Sequence, residues 1–462
     1  MSGFKTAKAV LGRRVLATTA ALALATAGVL VGTTSADAAS AQTGGTLYFI
    51  THQDQFDHVD PARVYTGRDI AFFNSYLYRN LVSYKPVAGS AGSSLVGDLA
   101  TNTGVPSNKA KDWSFTLKPG ITWEDGSAIT CADVKYGVSR AFASDVITDG
   151  PQYLVQALDI PLAADGSSQY KGPYKKTGQA LYDKAVVCKG NTITFHLNRS
   201  FADFNYALTY PAGAPVKKSK DTGDKYDLRP FASGPYKIAS YKIGDELNLV
   251  RNSAWKKSSD SFRTPYPDEV IIQFGLDEEV IDQIMLEDTI PTAVNFGGPL
   301  PTNRDKFFDN ASLAKRRMNN ADPYANYIAF NLKKMPCLEV RQAMYYARNA
   351  KALLDYAGGP KFAGSYATGV ISPLVATDFA PTKVVGPGSP DFKPEGNFTK
   401  AQSLLDTAKT KCPDNYKKAT ETAERLPVIL EPMILLFIGA LVGTIAFAII
   451  VPIYSIVGSV GR

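Results

Sequence analysis

Hydrophobic and polar positions alternate most clearly between Lys111 and Phe142, which reads KDWSFTLKPGITWEDGSAITCADVKYGVSRAF. Trp113, Phe115 and Leu117 fall on one side and Ser114 and Thr116 on the other, the period of two that marks a half-buried strand. Lys118-Pro119-Gly120 turns the chain, because proline presets φ and glycine accepts a positive φ. Ile121 to Trp123 resumes the strand pattern, and Glu124-Asp125-Gly126-Ser127 forms a second turn. Thr130 stands where a helix cap is needed, with Asp133 three residues on in the place of a capping box. Val134, Val138, Ala141 and Phe142 give that helix its apolar face. The predicted unit is strand, turn, strand, turn, capped helix.

The same reading predicts a strand at 44–50 and a helix from Arg68 to Val82, whose Ile70, Phe73, Leu77 and Leu81 recur at helical spacing. Ala88 to Ser94 is a surface loop of small residues. Residues 151–189, rich in Gly, Ser, Lys and Tyr, read as an irregular insertion, and 191–197 and 267–272 as strands. Thr399 to Ala408 is a short helix with a Thr399…Gln402 capping box. Met433 to Val451 carries no charge and is long enough to span a bilayer core of about 30 Å. Its Gly439 and Gly443 make a G-x-x-x-G face.

A chain of 462 residues, 45% hydrophobic and 20% charged, is globular and long enough for two or three lobes. The net charge of +7 does not point to nucleic acid. Lys5, Lys8, Arg13 and Arg14 sit at the N-terminus, the other cations are interleaved with acids, and no basic stripe carries stacking aromatics. Residues 1–38 form a targeting segment: basic from Lys5 to Arg14, apolar from Val15 to Val31, with the A-x-A cleavage site Ala36-Asp37-Ala38. Arg13-Arg14-Val15-Leu16 is a loose twin-arginine match, so the mature chain starts near Ala39, outside the cytoplasm. Cys131, Cys188, Cys337 and Cys412 contain no C-x-x-C pair, which argues against zinc and redox motifs.

His52, Asp54, Asp57, His58 and Asp60 crowd the loop after the first strand. Their spacing matches no metal-ligand motif, and no metal or cofactor is expected. With 3 histidines in the chain, none in a catalytic motif, the triad or paired carboxylates of a hydrolase are not found and the protein is not expected to be an enzyme. His196 reads as a strand residue and not a base. The 24 Tyr and 23 Phe suit aromatic-lined pockets and an aromatic-rich core equally well.

Several of these stretches resemble the extracytoplasmic solute-binding proteins of peptide and nickel ABC importers, the family-five binding proteins. The resemblance rests on Trp113-Ser114-Phe115-Thr116-Leu117, Trp123-Glu124-Asp125-Gly126 and Ala132-Asp133-Val134, then on Asp60-Pro61-Ala62 and Ser233-Gly234-Pro235-Tyr236. It continues through Leu247 to Asn252, a helix from Leu276 to Leu286, and a crossing strand Ala293-Val294-Asn295-Phe296-Gly297. Tyr327-Ile328-Ala329-Phe330-Asn331 matches a further strand, and Val340-Arg341-Gln342-Ala343 starts a further helix. The chain departs from the family at Glu287-Asp288, where a glycine is usual, and at Asn349-Ala350, where Asp-Arg is usual.

The resemblance runs from about 44 to 410. It implies an α/β, two-lobed periplasmic-binding-protein-like fold, with a first lobe at 44–274 and an incomplete second lobe at 275–412. It also implies a receptor that captures peptides between the lobes and hands them to the permease subunits of an ABC importer. By position in the family, Tyr65, Thr66, Asn295, Phe296 and Tyr327 are the expected ligand contacts. Four cysteines allow three pairings; Cys131–Cys188 and Cys337–Cys412 are favoured because each would staple neighbouring elements of one lobe in an oxidising compartment.

The tail, 413–462, is similar instead to the last membrane helix of the inner-membrane platform proteins of type II secretion and type IV pilus assembly, through Leu426 to Ile434 and Val451-Pro452-Ile453-Tyr454. It implies a transmembrane helix that anchors the exported protein. Lys411, Lys417, Lys418 and Arg425 before that helix, against Arg462 after it, favour a cytoplasmic N-terminal flank, whereas the export signal places that flank outside. The conflict suggests two unrelated pieces joined near 410–420. The alternative functions are therefore a non-functional fusion or a membrane component of such a platform.

Overall fold

The computed structural model describes residues 42–87, 90–319, 324–373, 379–383 and 386–422. The targeting segment and the Met433–Val451 span lie outside them. Among the described residues no helix is long and apolar enough to cross a membrane.

In chain order the strands are β1 Thr46–Ile50, β2 Val82–Tyr84, β3 Leu95–Gly97, β4 Val105–Ser107, β5 Asp112–Thr116, β6 Val186–Lys189, β7 Thr192–His196, β8 Tyr236–Lys242, β9 Glu246–Arg251, β10 Glu269–Gln273 and β11 Ala293–Asn295. The longer helices are α1 Gly67–Tyr76, α2 Cys131–Arg140, α3 Glu278–Glu287, α4 Leu338–Ala347 and α5 Phe398–Lys411.

Two sheets organise the N-terminal two thirds of the described chain. One has the order β11-β1-β10-β9-β8, with β1 parallel to both neighbours; the other is the antiparallel β4-β5-β7-β6. Each has its own core. Trp113, Phe115, Ile193 and Phe195 alternate inward from β5 and β7 onto Val134 and Val138 of α2, as the period of two requires. Phe72, Phe73 and Leu77 pack against Leu247, Leu249, Val270 and Ile272 of the five-stranded sheet. A third, much smaller core joins Cys337 and Val340 to Ala408 between α4 and α5.

The capped helix at the end of that unit forms as expected: Thr130 and Asp133 make the reciprocal capping box of α2. His196 is a strand residue, its Nδ1 2.7 Å from Asp112 directly across the ladder. Both expected disulfides are present, Cys131–Cys188 between α2 and β6 and Cys337–Cys412 between the start of α4 and the end of α5.

Five expectations need correction. The helix expected to reach Val82 stops at Tyr76, because Leu77 and Tyr78 both donate to the Phe73 carbonyl and Val82 is drawn into a ladder with Gly97. Ile121 to Trp123 is no strand; Trp123 and Ile129 close a hairpin too tight for more than one bridge, Thr122 to Ala128. Residues 151–189 are not irregular. They hold helices Tyr153–Ala157, Gly172–Lys175 and Gln179–Ala185 before β6, and bury Leu154, Tyr170, Tyr182 and Val186 in the first core. Each of these helices is too short to show a period, so its apolar positions are lost among the glycines and lysines.

Tyr327 to Asn331 has no ladder partner among the described residues and forms no strand. Lastly, α5 is capped not by Thr399 but by Asn397, whose Oδ1 accepts from the Lys400 amide. The two departures from the family pattern have local roles. Asn349 caps helix Ala350–Tyr356, and Asp288 ends α3 in the left-handed region at φ 57°, the position where glycine costs least.

Candidate functional site

The loop after β1 is held by buried charge. Asp60 receives two guanidinium nitrogens of Arg140 at 2.5 and 2.7 Å, and Arg140 also reaches Asp221 at 3.0 Å. The Asp227 carboxylate accepts from the Val59 and Asp60 amides, and His58 lies between Asp227 (2.8 Å) and Asp149 (3.0 Å). Arg63 pairs with Asp149 at 2.8 Å and, chiefly through that hydrogen bond, holds its carboxyl below the usual range. His52 instead faces Glu278. The histidines and acids of this loop thus turn to different partners. Among the described residues the one trio of metal-type side chains with donor atoms close together is Cys337, Glu339 and Cys412, and its two sulfurs are joined in a disulfide.

The braced loop delivers Tyr65 and Thr66 to the N-terminus of α1. Thr66 is the N-cap residue and its carbonyl accepts from Ile70. Tyr65, 54% exposed, stacks on Tyr210 (ring centroids 6.2 Å, 24° between planes), and its hydroxyl is 3.2 Å from that of Tyr153. Tyr153 in turn packs on Tyr210 at 5.1 Å, and Tyr84 lies 6.1 Å from Tyr206. The hydroxyl of Tyr324, from the far end of the chain, lies over Gly67, where any Cβ would collide with it. The Thr209 carbonyl, between Tyr206 and Tyr210, accepts from both Asn74 and Asn80 side chains at 3.0 and 2.9 Å, so this surface is pre-set. The phenol pKa values of Tyr65, Tyr84 and Tyr210 are all raised, the first mainly by its hydrogen bond to Tyr153 and the others mainly by burial. The rings stay neutral at physiological pH.

Of the five expected contacts, Tyr65 and Thr66 lead into α1, and Phe296 packs against Phe72 and Arg68 of that helix. Phe296 donates its amide to Ile50 and packs edge-on against Phe49 (5.1 Å) and Phe72 (5.6 Å), while the Arg68 guanidinium lies 4.8 Å above its ring. Asn295 spends its side-chain oxygen on the Gly297 and Gly298 amides. Tyr327 is 75% exposed and no contact ties it to the others. Tyr84, Tyr153, Tyr206, Tyr210 and Tyr324 escaped the sequence reading because they come from separate segments; the only signal was the high tyrosine content.

A two-lobed α/β fold, with β11 paired to β1 and Arg68 of α1 lying over Phe296 just after β11, is the architecture of a bacterial solute-binding protein. The chain belongs to the family described as Bacterial extracellular solute-binding proteins, family 5 Middle, whose match spans residues 94–431. That match continues beyond 410, into the stretch where the sequence alone suggested a join.

The chain is 26% identical over 195 residues to the Probable D,D-dipeptide-binding periplasmic protein DdpA of Escherichia coli (strain K12), covering 40% of this chain and 32% of that one. It is 24% identical over 268 residues to the Glutathione-binding protein GsiB of Pectobacterium atrosepticum, covering 57% and 44%. Among solved structures it resembles the Clavulanic acid biosynthesis oligopeptide binding protein 2, with a TM-score of 0.69 and 31% identity over 80% of this chain and 65% of that one. The DppA of Helicobacter pylori in complex with peptide STSA shares the fold, with a TM-score of 0.52 and 19% identity over 79% and 66%. The chain spans less than half the length of these curated relatives.

Proposed function

We propose that the protein is an extracytoplasmic receptor that captures a peptide between its lobes, near 44–274 and 275–412, and delivers it to the permease of an ABC importer. The observation that carries this reading is the pre-set tyrosine surface at the N-terminus of α1, the helix whose Arg68 lies over Phe296 just after β11. Such a receptor needs hinge closure and backbone hydrogen bonds to its ligand, and no nucleophile or acid–base pair. Tyr65, Thr66 and Phe296 are its ligand-side residues, with Asn295 shaping the turn behind them and Tyr327 reaching the ligand only on closure. Export by the 1–38 segment and anchoring through Met433–Val451 belong to the same proposal.

Thermal unfolding of the full chain with and without a mixed tripeptide library tests it. A ligand specific for the native state raises the midpoint, by about 2.7 kcal/mol of stability at a hundredfold excess over Kd. A cooperative transition that no peptide moves would sink the proposal.

A further inference from the structure

We infer that the tyrosine surface is a subsite for an aromatic side chain of the bound peptide, an inference that rests on the receptor reading above. Tyr153, Tyr210 and Tyr65 form a ladder of rings at 5.1 and 6.2 Å, within the 4.5–7 Å range in which aromatic pairs attract beyond their buried area. The last ring of the ladder, Tyr65, is half exposed, so the next place in it is open to a ring from outside. Tyr84 and Tyr206 continue the same surface, each with part of its ring in solvent. The hydroxyls of Tyr65 and Tyr153 are engaged with each other; what this pair offers a ligand is ring face more than hydrogen-bonding capacity.

The chain also seats no cation of its own on these tyrosines among the described residues. It seats its own cations over Tyr136, Tyr182, Tyr226, Phe231 and Phe296, and over none of Tyr65, Tyr84, Tyr153, Tyr206 and Tyr210 among the described residues. A cluster of exposed, rigidly held tyrosines is the composition that recognition surfaces use, because large contact area is gained with little ordering of side chains.

The test is calorimetric titration of the full chain with tripeptides that carry phenylalanine at each position in turn among alanines. The same set with cyclohexylalanine serves as an aliphatic ring of similar bulk; Ala-Lys-Ala and Ala-Ala-Ala complete the panel. The expected result is that one phenylalanine peptide binds about two- to tenfold more tightly than its cyclohexyl counterpart. Tyr65→Leu should bring that ratio close to one, and Tyr65→Phe should keep it. Equal binding of the two rings, tightest binding of the lysine peptide, or a ratio that survives Tyr65→Leu would overturn the subsite while leaving the receptor intact. If no peptide in the panel binds, the receptor reading fails and the subsite with it.

Discussion

Asp98 shows what one residue can hold. Its carboxylate is fully buried and takes Arg79 Nε at 2.8 Å and Arg263 Nη2 at 2.7 Å, while Asp260 pairs with Arg263 at 3.0 Å. Two acids balance two buried guanidinia. Burial alone would push the Asp98 carboxyl up, but Arg263 and Arg79 outweigh it and hold it below its ordinary value. A folded pKa below the unfolded value of about 3.9 gives stability that is complete above that pH and is lost as pH falls through the folded value. Urea midpoints should therefore fall below about pH 4, and fall less steeply in Asp98→Asn. At neutral pH that variant leaves one guanidinium charge without its counter-ion and should lose about 3–5 kcal/mol; denaturation within 1 kcal/mol of the parent would show that the network is dispensable. None of this was legible beforehand. Asp98 is separated in sequence from Arg79, Asp260 and Arg263, and no local pattern marks their pairing.

At the scale of elements, legibility followed locality. In the unit from β5 to α2 the first strand and the capped helix could be read because the period and the cap are each set by consecutive residues, while the second strand expected at Ile121 to Trp123 does not form. The early end of α1 could not, since the pull on Val82 comes from Gly97 across a ladder. Tyr327 to Asn331 has strand composition without a strand, because a ladder needs a partner that the sequence of one segment does not reveal. In the candidate site, Tyr65, Thr66, Asn295, Phe296 and Tyr327 were named from family position, whereas Tyr84, Tyr153, Tyr206 and Tyr210 are united with Tyr65 only by folding. Two outcomes are expected of α2. Thr130→Ala removes the capping hydroxyl and should cost about 1 kcal/mol in chemical denaturation. Reducing Cys131–Cys188, which closes 57 residues of chain between α2 and β6, should cost about 2–4 kcal/mol. A reduced protein as stable as the oxidised one would mean that β6 holds its place without the bond.

For the whole molecule, apolar burial is uneven. The two sheet cores bury many large side chains, whereas the core around α4 and α5 is Cys337, Val340 and Ala408. In the same part of the chain Met318, Ile328, Leu353 and Tyr356 remain largely exposed. This lobe should open at the lowest free energy. Hydrogen exchange should label amides of 324–373 well before those of β5, β7, β9 and β10; uniform exchange across both regions would contradict it. Ligand that bridges the lobes should slow the first set more than the second.

The pairing of β1 with β10 joins Thr46 to Glu269, so the first strand to leave the ribosome has to wait for one of the last pieces of its sheet. The four-stranded sheet, complete by His196, has no such delay. Its assembly is the earlier event in the life of a nascent chain, and β1 spends the interval as an unpaired apolar ribbon. Cellular factors that shield extended segments would find their binding site there, at Thr46–Ile50, before β10 is made and not afterwards.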